Sequence, residues 1–552
     1  MNAESSTKPD RSAGIGGRRG FLGLLRAAVP IAVTVGAACS LGLTLWTGRQ
    51  NDSRGLLLLF SMWVLSPFVA LGMSSIVSKR WSFLAQTTLL GVTLVLSLAS
   101  LAIYGAVGLG PPRERTAFSF VVFPAVSWVI IAVVVSLAAL TSGRLFKNRL
   151  VRWIFKGFAA VVILGVLGAV VLLGALWLEH RTGLTLPAPT GSFAVGRVVY
   201  DWVDDAHPDP LAPVSGTKRE LLVWIWYPST PGRSAAAGSY VPSQLPAEGA
   251  PPDSFVFRLL TRDLTKVRAH SLPNADVSSV DRAYPVVIMR TGASAEVMSY
   301  TTLAEDLASH GYIVVGFDAP YRTRRVVFPD GRVITRTPEN NPELYEGHSH
   351  AERLNELLAA WTADMEFVLE RLERLNASDP SGRFTGRIDM TRLGAFGHSF
   401  GGAQTAQFCS QDSRCKAGID VDGLLLGSVV QTGLHQPFMF LLSDQNTSDV
   451  EGRQVRADIQ SVFDRPPANS RFIIKIRGAN HFFFSDDAAL LKSHIVLGTL
   501  RRLGVFGIDG RRQLAVTTHC VHSFFDAYLK GPGVLHLNTS SPLYPEVQVL
   551  NS

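Results

Sequence analysis

The hexapeptide Gly397-His398-Ser399-Phe400-Gly401-Gly402 follows an apolar run, Leu393–Phe396, and precedes a helix-like stretch, Gly402–Cys409. A serine with small residues two places to either side suits a sharp strand-to-helix turn. A Cβ at Gly397 or Gly401 would collide with the adjoining strand or helix. The turn exposes the Ser399 hydroxyl, and the N–H groups of the following helix face any negative charge that develops there. Ser399 is thus the candidate nucleophile, on an elbow made with Gly397, His398 and Gly401.

A serine hydroxyl needs a base at neutral pH. In folds with such an elbow the chain order is serine, then acid, then histidine. His481, in Arg477-Gly478-Ala479-Asn480-His481, follows a strand-like run and is the candidate base. His519 and His522 sit in a helical run, Thr517–Leu529, that reads as packing, and His435 directly precedes a strand. Two acids fit the order. Asp422 follows the run Ala417–Val421, and Asp444 follows Pro437–Leu442. Either could orient an imidazole, and spacing does not choose between them. Cys409 and Cys415 flank the gap after the elbow helix. Outside the cytoplasm they could pair as a disulfide; two buried thiols is the other reading. No His, Cys or Asp cluster with metal-ligand spacing stands out, and no cofactor is expected.

The elements that must position these residues alternate. Glu220–Tyr227 reads as a strand ended by Pro228, and Pro285–Met289 and Tyr312–Phe317 as buried strands. Further strands are expected at Arg392–Phe396, Ala417–Val421, Pro437–Leu442 and Phe472–Ile476, the last clear one. Helical spacing marks Thr301–Ser309 and Ala359–Leu375. Such alternation predicts a mainly parallel sheet with crossover helices, whose strands are apolar throughout because both faces are covered. Two stretches, Ser229–Asp281 and Tyr321–Arg353, fit no compact sheet and read as a cap or as loose loops.

The order of these pieces resembles the plasma-type platelet-activating-factor acetylhydrolase family, α/β-hydrolase serine esterases. The similarity covers residues 190–552. It rests on Thr190-Gly191 with Val195-Gly196, Arg219-Glu220-Leu221 through Trp226-Tyr227-Pro228, and Asp306-Leu307-Ala308-Ser309-His310-Gly311-Tyr312. Asp364 with Phe367-Val368-Leu369, the elbow itself, Arg477-Gly478 and Tyr544-Pro545-Glu546-Val547 complete it. Gly418-Ile419 followed by Asp422 matches the family's acid segment, so the resemblance implies Asp422 and leaves Asp444 as the alternative. It also implies calcium-independent hydrolysis of short-acyl or oxidised sn-2 phospholipid esters. One departure is the oxyanion loop. A His-Gly-Leu-Gly-type sequence is replaced by Thr291-Gly292-Ala293-Ser294, in which Ala293 would supply the second backbone donor beside Phe400.

The rest of the chain is of another kind. Of 552 residues, 47% are hydrophobic and 17% charged, against about a quarter charged in an ordinary soluble domain. Apolar runs at Ala27–Trp46, Leu56–Val77, Phe83–Leu109, Ala117–Thr141 and Gly157–Leu178 each reach the ~20 residues that span a bilayer as a helix. The net charge of +8 is not a nucleic-acid footprint. Residues 1–181 hold 17 Lys/Arg against 5 Asp/Glu, concentrated between the apolar runs, while the remainder is mildly acidic. The basic loops (Lys8, Arg11, Arg18, Arg19 and Arg26; Lys79 and Arg80; Arg144, Lys147, Arg149, Arg152 and Lys156) fall on one side if the spans alternate. The N-terminus is then cytoplasmic. Arg18-Arg19-Gly20-Phe21-Leu22 also resembles a twin-arginine export signal, and Cys39 after Gly36-Ala37-Ala38 a lipoprotein box.

The expected organisation is therefore a basic cytoplasmic tail (1–26), a transmembrane domain of about five helices (27–178) and a linker (179–191). An extracytoplasmic α/β-hydrolase domain (192–552) follows, in what is expected to be a bacterial plasma membrane, acting on a lipid or small ester. The same triad would serve a general carboxylesterase or an acyltransferase. A membrane sensor or transporter carrying a retired hydrolase domain would be expected to lack one of Ser399, Asp422 and His481.

Overall fold

The computed structural model describes residues 11–48, 54–78, 81–108, 116–141, 167–168, 170–230, 238–242, 262–293, 295–345, 347–444, 450–465, 470–491, 507–532, 534–535 and 543–551. The chain divides into two compact units, Met1–Gly174 and Ala175–Ser552.

The first unit contains four long helices, α1 (Arg11–Thr47), α2 (Arg54–Val77), α3 (Phe83–Gly108) and α4 (Thr116–Thr141). Two stretches within it, Leu22–Thr47 and Phe83–Ala106, are long and apolar enough to cross a membrane. Apolar side chains such as Leu71, Leu89 and Tyr104 are buried between these helices. Small polar side chains, Ser40, Thr44, Thr93, Ser97 and Ser100, are buried, while Ile31, Val69, Met73, Ile76, Leu84 and Val95 face outward. Thr44 Oγ1 donates to the Ser40 carbonyl of its own helix at 2.7 Å, and Ser40 Oγ donates to Ser100 Oγ of α3 at 3.4 Å. Small and hydroxylic contacts between helices are what a lipid solvent favours, since it offers apolar side chains nothing that a neighbouring helix improves on. The fifth expected span lies partly outside the described residues. Its C-terminal end is an apolar helix, Val170–His180. The loops holding Lys79, Arg80, Arg113, Arg115 and Arg144–Lys156 also lie outside them.

The second unit is built on one ten-stranded sheet. In chain order its strands are β1 (Ala194–Pro208), β2 (Lys218–Ser229), β3 (Leu272–Pro273), β4 (Tyr284–Arg290), β5 (Ile313–Asp318) and β6 (Ile388–His398). β7 (Cys415–Val421), β8 (Phe438–Leu442), β9 (Arg471–Ile476) and β10 (Val547–Asn551) follow. Their spatial order is β10-β9-β8-β7-β6-β4-β5-β2-β1-β3. The run from β5 to β9 is parallel, and β1–β2, β2–β5 and β9–β10 pair antiparallel. Side chains on a strand alternate between faces. In β2, Leu222, Trp224 and Trp226 join one core, and Leu221, Val223, Ile225 and Tyr227 the other. Helices α5 (Thr301–Ser309) and α9 (Gly510–Phe525) cover the first face. Helices α6 (Gly347–Ala377), α7 (Phe400–Gln411) and α8 (Val450–Phe463) cover the second. This is the α/β-hydrolase architecture.

Three expectations change. β2 continues through Pro228 instead of ending there. Its pairing with β5 stops at Trp226, and beyond that point it pairs with β1 and, at Ser229, with Val277. Phe472–Ile476 is not the last strand, because the short antiparallel β10 closes that edge. The stretch Tyr321–Arg353 is packed against the fold. It forms a hairpin, Arg325–Val327 with Val333–Thr335, whose neighbours Val326 and Phe328 are buried in the core. Arg322 at its start is fully buried, contacting both Asp209 carboxylate oxygens at 2.8 Å and Asp364 Oδ2 at 2.6 Å. Residues 231–237 and 243–261 of the other stretch lie outside the described residues, but Tyr240, Val267 and Ala269 from it are buried.

Candidate active site

β6 ends at His398 and α7 begins at Phe400, leaving one residue for the turn. Ser399 absorbs it with φ 57° and ψ −124°, a sparsely populated conformation for a residue with a side chain. Two backbone bonds hold it there. Its N–H donates to the Val421 carbonyl at 2.9 Å, and its carbonyl accepts from Gly402 N–H at 2.8 Å. The glycines are steric requirements. A Cβ on Gly397 would lie 2.0 Å from the Gly401 carbonyl oxygen, and one on Gly401 2.6 Å from that of Arg290. One on Gly402 would lie 1.8 Å from Asp420 Oδ1, a constraint the motif alone does not reveal.

His481 Nε2 stands 3.1 Å from Ser399 Oγ, and its Nδ1 stands 2.7 Å from Asp422 Oδ2. An ionised carboxylate only accepts, so Nδ1 carries the hydrogen and the Nε2 lone pair faces the serine. Asp422 Oδ1 accepts from Ser443 N–H at 2.7 Å. Burial alone pushes the Asp422 carboxyl up. The His481 imidazole and the Ser443 hydrogen bonds outweigh it and hold the group below the ordinary carboxylate value. The His481 side chain remains 28% exposed, so a substrate can reach it. Asp444 does not meet the imidazole. It pairs with Lys475 Nζ at 2.8 Å and accepts from Gly478 N–H at 2.8 Å, fixing the turn that leads to His481.

Phe400 is the first residue of α7, and the N–H groups of a helix's first turn have no intrahelical acceptor. Facing the elbow, an ideal Cβ on Gly292 would lie 3.4 Å from Ser399 Cβ, so the loop carrying Ala293 runs directly over the serine. The Ala293 carbonyl accepts from Arg336 Nη1 at 3.3 Å, which ties that loop to the Tyr321–Arg353 stretch. Ser294 lies outside the described residues.

Several contributors are invisible to sequence spacing. Gln513 on α9 clamps the residue before the base: Asn480 N–H donates to Gln513 Oε1 at 2.8 Å, and Gln513 Nε2 donates to the Asn480 carbonyl at 2.7 Å. Tyr300 Oη lies 2.7 Å from His398 Nδ1. Asp420 sits beneath the elbow, fully buried. Its Oδ1 accepts from Gly423 N–H at 2.8 Å and its Oδ2 has no hydrogen-bond partner. Burial raises its carboxyl well above the ordinary value, against the Gly423 hydrogen bond and with the Asp422 charge adding to the rise.

The fold also gathers three groups that the chain keeps far apart. Ligand atoms of Asp306, His310 and His522 lie within 4.8 Å of one another. The two imidazoles stack at 4.1 Å and 20°. An imidazole binds an ion in its own plane, and near-parallel stacked planes do not converge on one ion at the ~2.0–2.1 Å of a metal–nitrogen bond. Asp306 is otherwise engaged, accepting from Thr190 N–H and Oγ1 and facing His522 Nδ1 at 2.9 Å. The group is a hydrogen-bonded clamp that fastens the start of the domain to α5 and α9, consistent with reading His522 as a packing residue. Cys409 and Cys415 are joined as a disulfide with Cα atoms 5.2 Å apart.

Comparison with known proteins agrees with this architecture. The family model described as platelet-activating factor acetylhydrolase, isoform II, matches residues 180–322 and 370–531. A probable 1-alkyl-2-acetylglycerophosphocholine esterase of Arthroderma benhamiae is 25% identical over 391 residues, 66% of this chain and 94% of the relative. The platelet-activating factor acetylhydrolase of Cavia porcellus is 24% identical over 247 residues, 42% of this chain and only 55% of its own length. Among solved structures, the ferulic acid esterase of Streptomyces cinnamoneus superposes with a TM-score of 0.53 at 26% identity, covering 67% of this chain and all of that one.

Proposed function

The chain belongs to the platelet-activating factor acetylhydrolase, isoform II, family, and from that membership we propose that it hydrolyses carboxylic esters through an acyl-enzyme on Ser399. The observation that carries the reading is the imidazole of His481 set between the Ser399 hydroxyl and the Asp422 carboxylate. In the first half-reaction Ser399 Oγ bonds to the ester carbonyl carbon while its proton passes to His481 Nε2. Asp422 supports the imidazolium that forms. The N–H groups of Phe400 and Ala293 receive the oxyanion; a single such donor is typically worth ~10²–10³ in rate. The C–O bond to the alcohol breaks as His481 returns the proton to it. Water then gives its proton to His481 and bonds to the acyl carbon, and the acyl–Oγ bond breaks as His481 returns that proton to Ser399, releasing the acid.

The substrate class follows from the family: short-acyl or oxidised sn-2 esters of glycerophospholipids, cleaved without calcium. Phe482, 67% exposed beside His481, offers such a chain an apolar wall. The N-terminal unit is proposed to anchor the enzyme through five spans in a bacterial plasma membrane, with the catalytic domain outside. The lipid-like packing of α1–α4 and the basic charge between the apolar runs support this. A second reading, a general carboxylesterase of small aryl esters, is favoured by the likeness to the ferulic acid esterase.

The test is the purified full chain assayed in chelator with 1-alkyl-2-acetylglycerophosphocholine and with a ferulate ester. The proposal expects faster turnover of the phospholipid. Ser399→Ala should lower kcat by about 10⁶-fold. Preference for the ferulate ester would select the second reading, and unchanged turnover by Ser399→Ala would remove both.

A further inference from the structure

His398 is the last residue of β6, directly before Ser399, yet its ring takes no direct part in the chemistry proposed above. It is buried, and it packs against His481 with ring centroids 4.6 Å apart and against Phe484 at 5.6 Å. Its Nδ1 faces Tyr300 Oη at 2.7 Å. That same hydroxyl oxygen accepts from Gly292 N–H at 3.4 Å, in the loop that runs over the serine. Gly292 is wedged against all three groups. A Cβ there would lie 3.4 Å from Ser399 Cβ, 3.6 Å from Tyr300 Oη and 3.7 Å from His398 Nδ1.

We propose that Tyr300 and His398 form a positioning relay that couples the oxyanion loop, through Gly292, to the loop that carries His481. The inference rests on the active-site reading above and deepens it. A tyrosine hydroxyl has one hydrogen to give. In the proposed relay that hydrogen goes to His398 Nδ1, which places the imidazole hydrogen on Nε2. That atom is buried and has no hydrogen-bond partner among the described residues. Burial, with the His481 imidazole adding to it, lowers the His398 pKa to about 3. The ring is therefore neutral and adds no positive charge beside the base. Tyr300 itself is fixed from below. It immediately precedes α5, and the N–H groups of Thr301 and Thr302 donate to the buried Asp486 at 2.9 and 3.1 Å. Asp486 follows His481 on the same loop, so α5 and the base are anchored to one another.

The relay predicts a particular kinetic signature in the full chain. Tyr300→Phe removes one hydroxyl, frees the Gly292 N–H and leaves the His398 tautomer undefined. A misplacement of this kind costs about 10–100-fold in kcat. KM should stay within about twofold, because the interaction lost serves the transition state and not ground-state binding. His398→Gln should give a similar loss, and the double variant should be no worse than the poorer single one, since residues of one network are not additive. A kcat unchanged in Tyr300→Phe, or losses that add in the double variant, overturns the relay. Independently of any variant's folding, the ¹⁵N imidazole shifts of the wild-type chain in detergent should show His398 protonated at Nε2. Protonation at Nδ1 overturns it. Ser399→Ala keeps the two readings apart. If that variant is inactive and Tyr300→Phe is normal, the relay alone fails; if it turns ester over normally, the active-site reading fails.

Discussion

Three aspartates near the serine do different work because their surroundings differ. Asp422 is ionised, pointed at His481 Nδ1 and supplied with the Ser443 N–H. Asp444 serves the turn at Gly478. Asp422→Asn should therefore cut kcat by about 10⁴-fold through loss of the correct imidazole tautomer. Asp444→Asn keeps an acceptor for Gly478 and should cost no more than about 10-fold, the loss expected from ~1 kcal/mol of local stability. Steady-state kinetics on the pair decides between the acids. Asp420 makes a different prediction. Its carboxyl keeps its proton in the fold while the unfolded chain releases it above about pH 4. The folded state then binds more protons, so this group lowers stability as pH rises. Asp420→Asn keeps the Gly423 hydrogen bond without the titration. Relative to wild type it should gain stability with increasing pH in denaturant melts, and a pH-independent difference would contradict the assignment. Ser399 and His481 were legible in the sequence because a motif and a chain order announce them. The choice of Asp422 needed the family likeness. Tyr300 was not legible, since its contact with His398 joins residues 98 positions apart, and Gln513 meets Asn480 across 33.

The elements were read well where burial makes a strand apolar throughout. β4, β5, β7 and β8 lie inside the parallel run and appear as short hydrophobic stretches bounded by turn formers. β1 and β10 lie outside it and were not recognised. β1 carries Asp201, Asp204 and Asp205 and pairs chiefly with β2, while β10 is a five-residue strand at the edge of the sheet. The elbow shows how an element boundary becomes chemistry. Between β6 and α7 a single residue reverses the chain, and it does so only because Gly397 has no Cβ to strike the Gly401 carbonyl. The obstacle is backbone, which cannot rotate away. Gly397→Ala should therefore cost at least the ~1–3 kcal/mol of an overpacked core and abolish ester turnover. A variant with wild-type melting temperature and activity would show that the turn is looser than this geometry.

At the scale of the molecule, charge and hydropathy divide the chain into two parts. The first unit buries hydroxyls beside apolar side chains and exposes many aliphatic ones, and the second buries two apolar layers around a sheet. The division between the two units falls after Gly174. The second unit is further locked by the buried Arg322, held by Asp209 and Asp364 from separate parts of the chain. That contact turns an insertion of loop-like composition into part of the scaffold beside the oxyanion loop. The proposed function places the nucleophile at the Ser399 hydroxyl. Labelling the full chain with a fluorophosphonate and mapping the adduct by mass spectrometry tests it most directly. The label should fall on Ser399, vanish in Ser399→Ala and form at least about 10³-fold more slowly in His481→Ala. A wild-type chain that leaves Ser399 unlabelled, or labels as fast without His481, would contradict the account.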